Sequence, residues 1–258
     1  MSGARRGRLG ATAALIAGVA ALLLTGCGTD SAPAGTTIQQ SEVPGVCPPH
    51  DGDGAAAIDW VPFVKVDGVS YQSAMPEMTV DESALGDTVS TVRCRLDGVV
   101  GDPEYKSRDG DAAFLPAGTE LREVLGYRTD FRLAAKDGAT WTIYESYNRP
   151  NVETGEDMLD LRGKVAAIDL VEGYYGRDIE QTVSAPEAVA AIVDAILAAP
   201  VVPEDERDEA MGAEAPMFIR FDLLDGTSVQ RAWHVEAGIF ALEFRAPPAL
   251  MDAFGNSI

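Results

Sequence analysis

The chain has 258 residues, with 20 basic and 41 acidic side chains and a formal net charge of −21. Such a surface repels nucleic acid and anionic headgroups, so no nucleic-acid partner is expected, and the excess charge serves mainly solubility. Apolar residues make up 46% of the chain, enough for a packed core, while two histidines leave little material for histidine-based chemistry.

Residues 1–26 have the layout of a secretory signal: Arg5, Arg6 and Arg8, then an apolar run from Ala11 to Leu24, then small residues. The run is short for a transmembrane helix, which needs about 20 apolar residues. It ends at Leu24-Thr25-Gly26-Cys27, which resembles a bacterial lipobox. The resemblance implies that the Cys27 thiol carries diacylglycerol, with acyl chains such as palmitate, and that the chain is cut before it. Two or more acyl chains at about 0.8 kcal/mol per buried methylene hold a protein stably on a bilayer. The expected location is therefore the extracytoplasmic face of the cell membrane, reached by lipid anchor. Removing residues 1–26 takes three basic residues and no acids, leaving 17 basic against 41 acidic.

Residues 27–57 read as a flexible tether, without aromatics and rich in Gly, Pro, Ser, Thr and Ala. About 30 residues of random coil span roughly 30 Å. Cys47 lies in its second half and Cys94 beyond it. In an exported chain two such cysteines are expected to form a disulfide. The alternatives are a metal site, for which His50 alone is too little, and a reactive thiol with a distant base.

Residues 58–258 read as a sheet-rich globular region, one domain or two halves over 58–148 and 163–258. Asp-Gly recurs at 67–68, 97–98, 137–138 and 225–226 between β-rich runs, the dipeptide that supplies positive φ in hairpin turns. Trp60–Val66 and Val69–Ser73 make one predicted hairpin, Phe131–Lys136 and Ala139–Tyr147 another. Val89–Leu96 and Thr119–Tyr127 are further strands, and Asn148–Arg162 is loop-like. Val165–Val171 opens the second half. Ser184-Ala185-Pro186-Glu187 then fits a capping box, and Val189, Ile192, Val193, Ile196 and Leu197 follow helical spacing up to Pro200. This stripe packs on a sheet or docks a partner. Pro203–Ala215, with six acids and one arginine, reads as a solvated loop. Met217, Ile219, Phe221 and Leu223 form one face of a strand, continued by Val229, Trp233 and Val235. A two-residue turn sets these apolar faces opposite each other, and a three-residue turn matches them; Arg231 is a misfit on that face. Pro247–Phe254 is a short terminal helix. The expected fold class is α+β: mainly antiparallel hairpins, one well-defined amphipathic helix and the short C-terminal one.

Motifs of common hydrolases and nucleotide enzymes are absent, including Gly-x-Ser-x-Gly, His-Glu-x-x-His and the phosphate loops. Asp51-Gly52-Asp53-Gly54 and Asp109-Gly110-Asp111 begin like calcium loops but do not continue as one requires. His234, beside Trp233, reads as a surface residue. Tyr127, Arg128 and Arg132 are a candidate anion site, or else pair internally with Glu120, Glu123 and Asp130. No cofactor, metal or catalytic residue is expected.

The segment "DGDAAFLPAGTELREVLGYRTDFRLAA" from Asp109 to Ala135, together with "WVPFVKVDGVSYQ" from Trp60, resembles uncharacterised secreted and lipid-anchored proteins of Gram-positive bacteria. With the lipobox, the resemblance implies an actinobacterial cell surface and no particular activity. The expected function is a non-catalytic envelope lipoprotein that binds an unknown envelope protein, wall polymer or ligand, or is structural. A carboxylate-dependent hydrolase of cell-wall material is the alternative.

Overall fold

The computed structural model describes residues 47, 58–173, 178–210, 215–241 and 243–255, all within one compact unit, Glu42–Ile258. The predicted signal segment 1–26, Cys27, His50, Asp51-Gly52-Asp53-Gly54 and the rest of the predicted tether apart from Cys47 lie outside the described residues. Among the described residues the fold is a β-rich α+β arrangement of two sheets and four α-helices. The sheets draw on consecutive stretches of chain.

The first sheet begins with β1 (Phe63–Val66) and β2 (Val69–Ser73). Asp67 and Gly68 both take positive φ, 49° and 78°, the requirement of a two-residue turn whose twist suits a hairpin. Alternation then buries Val64, Val66, Val69 and Tyr71 on the strands. In the hairpin of β8 (Arg132–Asp137) and β9 (Thr140–Asn148), Asp137 pairs with Thr140. The turn is therefore Gly138-Ala139, one residue later than the Asp-Gly dipeptide suggests, because Gly138 supplies the positive φ at the first central position.

The remaining strands are β3 (Thr79–Val80), β4 (Leu85–Thr91), β5 (Cys94–Arg95), β6 (Asp111–Ala112) and β7 (Glu120–Val124). Their order across the sheet is β4-β7-β8-β9-β2-β1-β6-β5, with β3 also on β9. The predicted strand over Val89–Leu96 is thus broken in two. β4 runs antiparallel on β7 at one edge, and β5 runs parallel to β6 at the other.

Cys94, buried in β5, is disulfide-bonded to Cys47 with Cα atoms 4.9 Å apart. The bond closes a sequence separation of 47 and pins residue 47 to the sheet edge. Intact-mass measurement under alkylation of the unfolded, non-reduced protein is expected to find neither thiol labelled. In the chain-entropy model, losing such a loop costs about 4 kcal/mol.

The second sheet contains β10 (Val165–Glu172), β11 (Asp178–Val183), β12 (Met217–Leu223), β13 (Ser228–His234), β14 (Ile239–Phe240) and β15 (Phe244–Arg245), in the order β11-β10-β12-β13-β14-β15. Phe221 pairs with Val229 and Met217 with Trp233, so odd positions face odd ones. That register follows from the three-residue turn Leu224-Asp225-Gly226, in which Gly226 takes φ of 83°.

Four helices accompany the sheets: α1 (Gly155–Met158), α2 (Pro186–Leu197), α3 (Glu204–Ala210) and α4 (Pro248–Phe254). On α2 the residues Val189, Ile192, Val193, Ile196 and Leu197 are buried in one cluster with Ile168, Leu170, Ile219 and Phe221 of the second sheet. Its cap is Ala185 with Pro186 in the first turn, and no side chain caps it, contrary to the box read at Ser184. A capping box forms instead in the stretch read as loop. Asp157 accepts the backbone N–H groups of Thr154 and Glu153, which hold its carboxylate below the usual range. Gly155 sits so close to α2 that a Cβ there would lie 2.2 Å from the Ile196 carbonyl oxygen. The acidic segment read as a solvated loop holds α3, because Glu204, Asp205 and Glu206 occupy its first turn, where the helix dipole favours anions.

Candidate functional site

Antiparallel pairing places three side chains in one row across the first sheet: Arg132 on β8 opposite Glu145 on β9, and Glu145 opposite Gln72 on β2. Arg132 is fully buried and Glu145 only 4% exposed. Buried charges persist only when paired and fully hydrogen-bonded. Arg132 meets most of that demand with Nη2 donating to Glu145 Oε1 at 2.5 Å and to the Ser228 carbonyl at 2.9 Å, and Nη1 donating to Thr227 Oγ1 at 2.8 Å, while its buried Nε has no hydrogen-bond partner among the described residues. Its guanidinium carbon also lies 4.7 Å from the centre of the Tyr127 ring, within cation–π range.

The second sheet closes the site. Arg231 on β13 donates Nη1 to Glu145 Oε2 at 2.7 Å and to the Gln230 carbonyl at 2.9 Å. Each carboxylate oxygen of Glu145 therefore faces one guanidinium, one from each sheet. Burial alone would raise the Glu145 pKa, but the charges and hydrogen bonds of Arg132 and Arg231 outweigh it and hold it below the usual carboxylate range. A chain of polar contacts runs on from Arg132. Thr227 Oγ1 donates to Asp225 Oδ1 at 2.7 Å, and Tyr127 Oη donates to Asp225 Oδ2 at 2.7 Å. Burial and the hydrogen bond to Asp225 raise the Tyr127 hydroxyl well above its ordinary value.

Beside this triad lies a cleft of about 270 Å³. Glu145, Ser146, Gln72, Ser73, Gln230 and Arg231 supply its polar wall. Met158, Leu159, Phe218 and Phe244 supply the apolar one, and Tyr147, 39% exposed, stands among the lining residues on the solvent side. The arrangement can hold a small molecule with one polar end. It is poorly suited to proton transfer, because its one lining carboxylate is held ionised with both oxygens occupied.

Of the residues singled out in the sequence, Tyr127 and Arg132 belong to this network, while Arg128 pairs with Asp130 at 3.3 Å and donates its backbone N–H to Asp160. Internal pairing holds for Arg128. Arg132 finds a partner that the sequence reading did not name, Glu145 across the hairpin. Arg231, the misfit on an apolar face, is the second partner, and this was the signal available in the sequence. His234 is buried rather than at the surface, 7% exposed, in a strand where Ser228, Gln230 and His234 on one face and Val229 and Trp233 on the other are all buried. Asp109 and Asp111 serve turns: Asp109 Oδ1 accepts the Gly68 N–H, and Asp111 Oδ2 accepts Tyr105 Oη and the Arg108 N–H. Burial and the hydrogen bond to Asp111 push Tyr105 up to about 12. No cluster of three or more His, Cys, Asp or Glu able to hold a metal occurs among the described residues, and no helix there is long and apolar enough to cross a membrane. The comparisons with protein families, curated proteins and solved structures find no match to the chain.

Proposed function

We propose that the chain is an exported lipoprotein, held on the extracytoplasmic face of the cell membrane through Cys27, whose folded part binds a ligand or partner rather than catalysing a reaction. The observation that carries this is Leu24-Thr25-Gly26-Cys27 at the end of a basic-then-apolar leader. An oxidised Cys47–Cys94 pair agrees with an exported chain. The apolar stripe of the amphipathic helix α2 belongs in this account to the core, so the cleft between the sheets is the binding feature.

The alternative, a carboxylate-dependent hydrolase of wall material, draws on Asp169 and Asp222, which share Arg220. Burial and the neighbouring Asp169 raise Asp222, as an acid catalyst needs. Neither residue lines the cleft, and Asp169 is already engaged by Arg220 at 2.5 Å and Thr182 at 2.6 Å. Binding is therefore preferred.

Cell fractionation tests the anchor. Cys27→Ser is expected to release the protein from membranes or to leave it unprocessed. Normal leader cleavage with unchanged membrane retention would refute the assignment.

A further inference from the structure

We propose that the cleft between the two sheets binds a small carboxylic acid with a short apolar tail, its carboxylate against the Arg231 guanidinium and its tail against Met158, Leu159, Phe218 and Phe244. This names the ligand class for the binding role proposed above, and it does not depend on the lipid anchor.

Hydrogen-bond capacity at the polar wall decides the polarity of the ligand. Arg231 spends Nη1 on Glu145 and on the Gln230 carbonyl, and its buried Nη2 has no hydrogen-bond partner among the described residues. A guanidinium can only donate. Glu145, the one carboxylate among the described residues lining the cleft, has an arginine on each oxygen, so it is a poor acceptor for a newcomer. The amides of Gln72 and Gln230 and the hydroxyl of Ser73 at the same wall can both donate and accept. Arg231 is therefore the group that sets the preferred charge of a ligand. A ligand ammonium would approach Arg231 and find Glu145 already occupied.

Charge points the same way. Two arginines share Glu145, and the nearest further carboxylate in the network, Asp225, reaches Arg132 through Thr227, at the turn between β12 and β13. Among the described residues Arg231 has no second acidic partner. A carboxylate gives it a charge-assisted hydrogen bond, the strongest kind the site can offer. A volume of about 270 Å³ matches roughly nine waters at about 30 Å³ each, the size of an acid with about eight to ten non-hydrogen atoms.

Calorimetric titration of the full chain in nanodiscs, against empty nanodiscs, tests the proposal with hexanoate, 4-methylpentanoate and phenylacetate as probes. At least one acid is expected to saturate below about 10 mM, with its neutral amide binding at least about tenfold more weakly. Arg231→Gln is expected to weaken the acid by at least about tenfold. Ala232→Met, which adds bulk at the cleft and leaves the triad intact, is expected to abolish binding without moving the melting temperature. No saturation by any of the three acids, equal affinity for acid and amide, or undiminished binding to a folded Arg231→Gln protein would overturn the proposal. If Arg231→Gln does not fold, unchanged binding to Ala232→Met overturns it and lost binding upholds it. Failure here leaves the Cys27→Ser fractionation untouched, so the two ideas fall separately.

Discussion

Replacing Glu145 with Gln is expected to cost about 3–5 kcal/mol of stability, the penalty typical of removing one member of a buried ion pair. The carboxylate lies between Arg132 and Arg231, and its loss leaves two guanidinium groups, one of them fully buried, without their shared counter-charge. Urea unfolding at neutral pH measures the loss. A cost under about 1 kcal/mol would mean that the triad does not hold the sheets together. Replacing all three residues by apolar ones of similar volume is expected to cost far less than Glu145→Gln alone, since an apolar core has no charge left unpaired. The effect also has a pH signature. The two guanidinium groups hold the folded-state pKa of Glu145 below the ordinary glutamate value, so its contribution is present above that ordinary value and is lost as pH falls through the folded one. Wild type and Glu145→Gln should therefore converge in stability as the solution is acidified. A gap that widened on acidification would contradict the assignment.

Ile196→Ala is expected to cost about 2–5 kcal/mol, the range for emptying a fully packed aliphatic site. Ile196 is 0% exposed and shares a cluster with Ile168, Leu170 and Phe221 across the helix–sheet interface. Its carbonyl oxygen would also lie 2.2 Å from a Cβ at Gly155 of α1, so little slack exists for the two helices to collapse into the void. Thermal or urea unfolding decides between this and a docking role for the stripe. An exposed docking residue would change stability by no more than about 0.5 kcal/mol.

Local chemistry made several features legible in the sequence. Asp67-Gly68 forms the turn its residue types demand, and the spacing from Val189 to Leu197 is the spacing of the buried face of α2. Where Asp-Gly misleads, the reason is also local: at 137–138 glycine alone has the required φ, so Asp137 stays in the strand. Helix α3 escaped notice because a run of acids looks like solvated loop, although the same acids suit the first turn of a helix. The central site was hidden for a different reason. Arg132, Glu145 and Arg231 meet only after two hairpins close and two sheets pack, and no spacing along the chain encodes that meeting. What the sequence did hold was an inconsistency. An arginine between Val229 and Trp233 broke an apolar face, and such breaks of a local rule tend to mark functional or specially satisfied sites. His234 shows the limit of period-two alternation, which separates the two faces of a strand without telling whether the second is covered.

The order in which the chain emerges gives the triad a role in assembly. Every strand of the first sheet lies between residues 63 and 148, and β10 starts only at Val165. A chain delivered N-terminus first can pair Arg132 with Glu145 across their own hairpin while the last strands are still to come. Glu145 then keeps one unoccupied oxygen until Arg231, 86 positions later, arrives on β13. The half-satisfied carboxylate is thus a waiting post for the second sheet, and only the sheet that brings a guanidinium to that post completes it. Correct docking gives the open carboxylate oxygen its second donor, whereas a misplaced sheet would bury that oxygen without one.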